Sequence, residues 1–120
     1  MMNLIYETQD SFYQYIERVA SGTQTIADYL REDNVGEAMQ LIAQFSEGVA
    51  WLTKVIVLMR EHKYHINIDP SQINGFLLEI NDGLERQDYV IVADIFEYEI
   101  KPFFEEAAKE RFYQMKEDKN

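Results

Sequence analysis

The chain is expected to fold as an all-α domain, an antiparallel four-helix bundle built from two helical hairpins. Three observations predict this class. Apolar residues recur at three- and four-residue spacing along most of the chain, which is the period of an amphipathic helix. Helix-start signals divide it at Asn34, at Asp69-Pro70 and at Asp88. No run shows the sustained alternation of a surface strand. With 120 residues the chain has the length of one domain, so a single unit over 1–120 is expected.

The first helix is predicted over about residues 6–32, where Phe12, Tyr15/Ile16, Val19, Ile26 and Tyr29/Leu30 form one stripe. Ser21-Gly22-Thr23 lowers helix propensity in its middle and predicts a weak point without a break. The second helix is predicted over 35–64. Asn34 is placed to accept from its first-turn amides, and Glu37 to reach back in a capping box. Its stretch Val49–Met59 is apolar almost all round, so this helix is expected to be the most buried. His65-Ile66-Asn67-Ile68 reads as an extended linker. Asp69-Pro70-Ser71-Gln72 then starts a third helix over 70–86, with Asp69 as cap and Pro70 preorganised in the first turn. Its core face is Ile73, Phe76/Leu77, Ile80 and Leu84. Asp88 caps a fourth helix over 89–115, whose core face is Val92, Ile95/Phe96, Ile100, Phe103/Phe104, Ala107 and Phe112. Pro102 lies inside that pattern, removes a backbone donor and predicts a kink near Tyr98–Pro102.

The two halves echo each other at an offset of 54, the trace a duplicated hairpin would leave. Val19, Ile26, Leu30, Asn34, Val35, Ala38, Leu41, Ile42 and Gly48 align with Ile73, Ile80, Leu84, Asp88, Tyr89, Val92, Ile95, Phe96 and Pro102. One hairpin cannot bury its own apolar face, whereas two packed together can.

Composition narrows the function. Asp and Glu number 22 against 11 Lys and Arg, a formal charge of -11. Nucleic acid and anionic membrane are both recruited by basic surface, so neither is an expected partner. The chain holds no cysteine, which excludes disulfides, thiol catalysis and thiolate metal sites. Met1–Glu7 lacks the basic and apolar regions of a secretory leader. The apolar run Val49–Met59, 11 residues long, falls short of the about 20 needed to span a bilayer. A cytoplasmic protein is expected.

Catalytic candidates are few. Arg60-Glu61-His62-Lys63-Tyr64-His65 has an Arg-x4-His spacing. It resembles the motif of helical-bundle RNases of the HEPN type, which implies Arg60 and His65 acting on an RNA phosphodiester. It departs from that family in its acid at Glu61 and in lying on the second helix instead of the last. The bland alternative is a solvated helix end whose Arg60, His62 and Lys63 complement the negative end of the helix dipole. Asp94, Glu97 and Glu99 offer oxygen ligands for a metal-carboxylate enzyme, or simply the wet face of the fourth helix. Bundle metal sites commonly pair carboxylates with Glu-x-x-His, and that motif is absent here. The glycines stand singly, with no phosphate-cradling loop. No metal, cofactor or catalytic residue is therefore assigned, and an enzyme is not expected.

Binding candidates are richer. Tyr6, Phe12, Tyr13 and Tyr15 crowd the N-terminal segment, and Phe103, Phe104, Phe112 and Tyr113 the C-terminal one. Tyrosine is enriched at interfaces because its ring is apolar and its hydroxyl tolerates water. Pro102 frees the carbonyl of Tyr98 and is a place for a groove. Tyr13, Tyr98, Pro102, Phe103 and Tyr113 are the candidate contact residues. Gln87-Asp88 with Ala93-Asp94-Ile95-Phe96-Glu97-Tyr98-Glu99-Ile100 and Pro102 resembles a run in small, acidic, helical proteins of unassigned function from Gram-positive bacteria. That resemblance implies a bacterial cytoplasmic bundle and carries no catalytic residue. In size, charge and class the chain is also similar to export chaperones of flagellar or secretion systems, which implies a binder of an apolar helix. The expected function is a non-catalytic interaction or assembly module that meets a protein partner or a second copy of itself.

Overall fold

A computed structural model describes residues 2–115. Residue 1 and residues 116–120, the edges of the expected 1–120 domain, lie outside the described residues. The stripe through Phe12, Ile16 and Ile26 forms helix α1 (Met2–Arg31), unbroken across the expected weak point. The hydroxyls there turn back into the helix: Ser21 donates to the Arg18 carbonyl at 3.1 Å and buried Thr23 to that of Ala20 at 2.8 Å. Helix α2 (Val35–Glu61) follows and stops three residues short of the expected 64. Helix α3 (Pro70–Glu85) begins as Asp69 and Pro70 dictate. The Asp69 carboxylate accepts from the Ser71 amide at 3.0 Å and from the Ser71 hydroxyl at 2.8 Å. Those two bonds hold its pKa below the usual carboxylate range. Asp88 likewise accepts from the Ile91 amide at 3.2 Å. Asn34 does not cap: no side-chain bond is made, and its backbone (φ -90°, ψ 64°) serves as the helix start unaided.

The fourth helix departs most from expectation. It comprises α4 (Tyr89–Ile95), a π-helical turn (Phe96–Ile100) and α5 (Lys101–Ala107). The Lys101 amide donates to the carbonyl of Phe96, five residues back. The core residues Val92, Phe96, Ile100 and Phe104, all at most 0% exposed, are spaced by fours. In a regular α-helix each such step rotates by about 40°, so Val92 and Phe104 would point apart. The wide π turn absorbs that drift and keeps all four on the core. Pro102 then sits in the first turn of α5, where a missing N–H costs least. The expected kink is thus realised as a change of helical register.

Nor does this helix reach residue 115. Beyond Ala107 the chain turns back, and Tyr113–Gln114 (β2) pairs antiparallel with Tyr64–His65 (β1). This two-residue ribbon was not predicted, because pairs so short leave no periodicity. Tertiary contact outweighs helix propensity here. The ring of Phe112 packs edge-on against Phe12 at 5.0 Å, and its amide donates to the Tyr13 hydroxyl at 2.9 Å.

The elements pack as a four-helix bundle measuring 56 × 27 × 19 Å. Helix α1 lies between α2 on one side and the α4–π–α5 line on the other, and α3 closes against α4 and, more lightly, α2. Phe45 of α2 reaches across to Phe96 at 5.2 Å and Phe104 at 5.9 Å, tying the two walls together. The echo between the halves extends to their turns. Asp33 (φ 61°) and Gln87 (φ 54°) both adopt the left-handed conformation. The next amide closes each turn on a carbonyl five residues back, Asn34 to Tyr29 and Asp88 to Gly83, both at 2.9 Å. This is the Schellman closure with a non-glycine residue in its left-handed position.

A left-handed Gln is strained by about 1 kcal/mol, whereas short Asp tolerates the conformation better. Gln87→Gly is therefore expected to stabilise the domain by about 1 kcal/mol, and Asp33→Gly by less. Urea denaturation midpoints of the two variants check the size and the order of the effects.

Candidate functional site

The residues singled out in the sequence do not share one surface. Tyr13 is half-buried, and the Arg111 guanidinium lies over its ring at 4.5 Å. With its hydroxyl taken by Phe112, it clasps the chain's own C-terminal segment. Tyr113 is exposed and stacks on the His65 ring at 5.9 Å. Phe103 is held between Phe76 at 5.3 Å and Phe104 at 5.1 Å. Pro102 and Phe103 do line a shallow groove of about 410 Å³ with Asn67, Gln72, Glu99 and Glu106. Glu99 there has its pKa raised by desolvation and by the nearby charge of Glu79. Tyr98 faces away from that groove's lining, exposed, with Arg31 over its ring at 5.9 Å.

Arg60 and His65 are not bonded to each other among the described residues. Arg60 is exposed in the last turn of α2. His62 is exposed as well, just past the end of α2. The helix-four acids separate. Asp94 and Glu97 turn to α1, where Arg31 pairs with Glu97 and, at 2.9 Å, with Asp94. Gln24 donates to Glu97 at 3.0 Å and accepts from Lys101 at 3.1 Å. Among the described residues no three His, Asp or Glu side chains gather as a metal-binding group. Hydrogen bonds from Gln24 and then Arg31 hold the Glu97 pKa below its usual range. This network pins the π turn to α1.

A further concavity was not foreseen. A groove of about 550 Å³ runs between α1 and α2, lined by Ser11, Gln14, Tyr15, Arg18, Gln44, Glu47, Gly48 and Trp51. It continues into a second groove of about 400 Å³ over Val19, Ile26, Leu41 and Phe45, the two sharing Tyr15, Arg18 and Gln44. Tyr15 and Trp51 meet edge to face at 5.5 Å on the groove wall. Gly48 makes this possible, since a Cβ there would lie 2.2 Å from the Tyr15 hydroxyl oxygen. In the sequence Tyr15 reads as part of a core stripe and of the N-terminal aromatic cluster, and Gly48 as one of five scattered glycines. Their contact across two helices is invisible in either segment alone.

Helix α2, expected to be the most buried, holds nine buried residues along one face. By length and composition it is apolar enough to cross a bilayer, yet only 39% of its most apolar 18-residue window is buried. The shorter apolar run read from sequence understated it, because Thr53 and Lys54 interrupt that run without making the helix polar. Met39, Trp51, Val57 and Leu58 are exposed by 41%, 37%, 46% and 43%. Ala43 and Ala50 lie exposed among them.

Two predictions follow from these contacts. Gly48→Ala is expected to push Tyr15 off the groove wall and alter the emission of Trp51, the single tryptophan of the chain; an unchanged spectrum contradicts the contact. Because the Glu97 pKa is lowered by folding, its stabilising effect is present above about pH 4.3 and fades as pH falls through the folded value. The stability advantage of the wild type over Glu97→Gln should shrink below that pH, as urea titrations at stepped pH would show.

No curated protein and no solved structure matches the chain. A family model does, over residues 7–110, from within α1 to just past the end of α5. The chain therefore belongs to the family described as Domain of unknown function (DUF8042).

Proposed function

We propose that this domain is a non-catalytic protein-interaction module that presents α2 and the α1–α2 groove to a protein partner. One observation carries the proposal: α2 is as apolar as a membrane span, yet its own bundle covers only 39% of its most apolar window. Apolar surface left in water is unfavourable at roughly 25 cal/mol per Å², and contiguous patches of it mark interaction sites. The groove beside it has the composition of a peptide-binding cleft. Tyr15 and Trp51 supply an aromatic wall, and Arg18, Gln44 and Glu47 supply polar edges. The charge of -11 supports a protein partner over a polyanion.

The expected outcome of replacing Trp51 by a photo-crosslinking phenylalanine analogue, in cells that make the protein, is a discrete protein adduct. The same analogue at exposed Asn81 on α3 should give none. If Trp51 yields no adduct, the interaction role is withdrawn.

A further inference from the structure

On the basis of that interaction role, we infer that the occupant of the outer α2 face is a second copy of this chain, paired antiparallel through α2. Met39, Ala43, Ser46, Ala50, Thr53 and Val57 recur at alternating steps of four and three residues. That is the a/d seam of a coiled coil, and it lies on the side of α2 away from its nine buried residues. All six are exposed or half-buried. The small side chains at 43, 46, 50 and 53 let a second helix approach closely.

Charge selects the occupant. Gln40, Glu47, Lys54 and Glu61 repeat every seven residues along one edge of this seam, and all are exposed. In an antiparallel pair, like positions along such an edge face each other across the two-fold axis. Setting Ala50 against Thr53 of the second copy, and Ser46 against its Val57, brings Glu47 opposite the second copy's Lys54. The two-fold repeats this pair with the roles exchanged. Gln40 then meets Glu61, a neutral acceptor and donor against a carboxylate. Sliding the helices by a heptad in one direction sets Lys54 against Lys54 and Glu47 against Glu61. Sliding the other way sets Glu47 against Glu47. Of these three registers, the first alone sets opposite charges against each other.

A bilayer is the competing cover for so apolar a helix. It would have to take Glu47, Lys54 and Glu61 on the same face, a cost of several kcal/mol by insertion scales for each charge at mid-depth. The self-complementary edge favours the second copy.

Sedimentation equilibrium of the purified full chain, at tens of micromolar, is expected to give twice the 14.2 kDa of one chain. Glu47→Lys alone and Lys54→Glu alone should each weaken association by about tenfold, since each creates two like-charge pairs. The double variant Glu47→Lys/Lys54→Glu should restore it. Ala50→Arg, at the centre of the seam, should give a monomer with an unchanged far-ultraviolet dichroism spectrum. A monomeric wild type, a dimer indifferent to Ala50→Arg, or single reversals not rescued by the double would each overturn the inference. So would flotation of the chain with phosphatidylcholine–phosphatidylglycerol vesicles, which would hand the face to lipid. A monomer that still crosslinks from Trp51 to another protein would remove self-pairing and leave the interaction role standing.

Discussion

The broad apolar stripe of the 30-residue helix α1 is too wide for one neighbour, and α1 takes two. Helix α2 covers one flank and the α4–π–α5 line the other, so α1 is the shared wall of both hairpins. Burying residues such as Phe12, Ile16 and Ile26 in the middle of the molecule stabilises it by about 1.5–3 kcal/mol for each large side chain. The arrangement has a geometric cost at the edge. Helix α2, one flank of α1, meets α3 only lightly and is left with an outer face that nothing in the fold covers.

The same demand explains the irregular fourth helix. Four core residues spaced by fours must all face the core, and only a wider turn keeps them aligned. The polar network of Gln24, Arg31, Asp94, Glu97 and Lys101 forms on the side of the turn facing α1. Its members are charged or amide groups with bonds from both elements, so the π turn is held by specific partners as well as by packing. Pro102 fits because the helix effectively restarts beside it.

Much of this was legible in the residues themselves. Asp69-Pro70 and Asp88 fix the starts of α3 and α4 through side-chain caps that act within three residues. Local chemistry of that kind can be read locally. Asn34 fails as a cap because the Schellman closure at Asp33 already positions the chain by backbone bonds. The end of the fourth helix was misread because its stop is set by Phe12 and Tyr13, roughly a hundred residues away in sequence. Tyr13, Tyr98 and Tyr113 stand out in the sequence as surplus aromatics, and each meets a different partner within the chain: Phe112, Arg31 and His65. The groove beneath Tyr15 and Trp51 escaped notice because it belongs to the space between two helices, each of which looks ordinary by itself.

The clasp of Phe112 by Tyr13 has a consequence for how the molecule assembles. Its hydrogen bond joins positions 99 residues apart, and the β1–β2 ribbon beside it joins positions about fifty apart. Contacts this distant in sequence carry the greatest loop-closure entropy and form late. The hairpin of α1 and α2 needs only a three-residue turn and can collapse early. During synthesis, then, α1 spends its first moments with one flank covered and the other waiting. Phe112, arriving after both hairpins, acts as a latch that closes on α1.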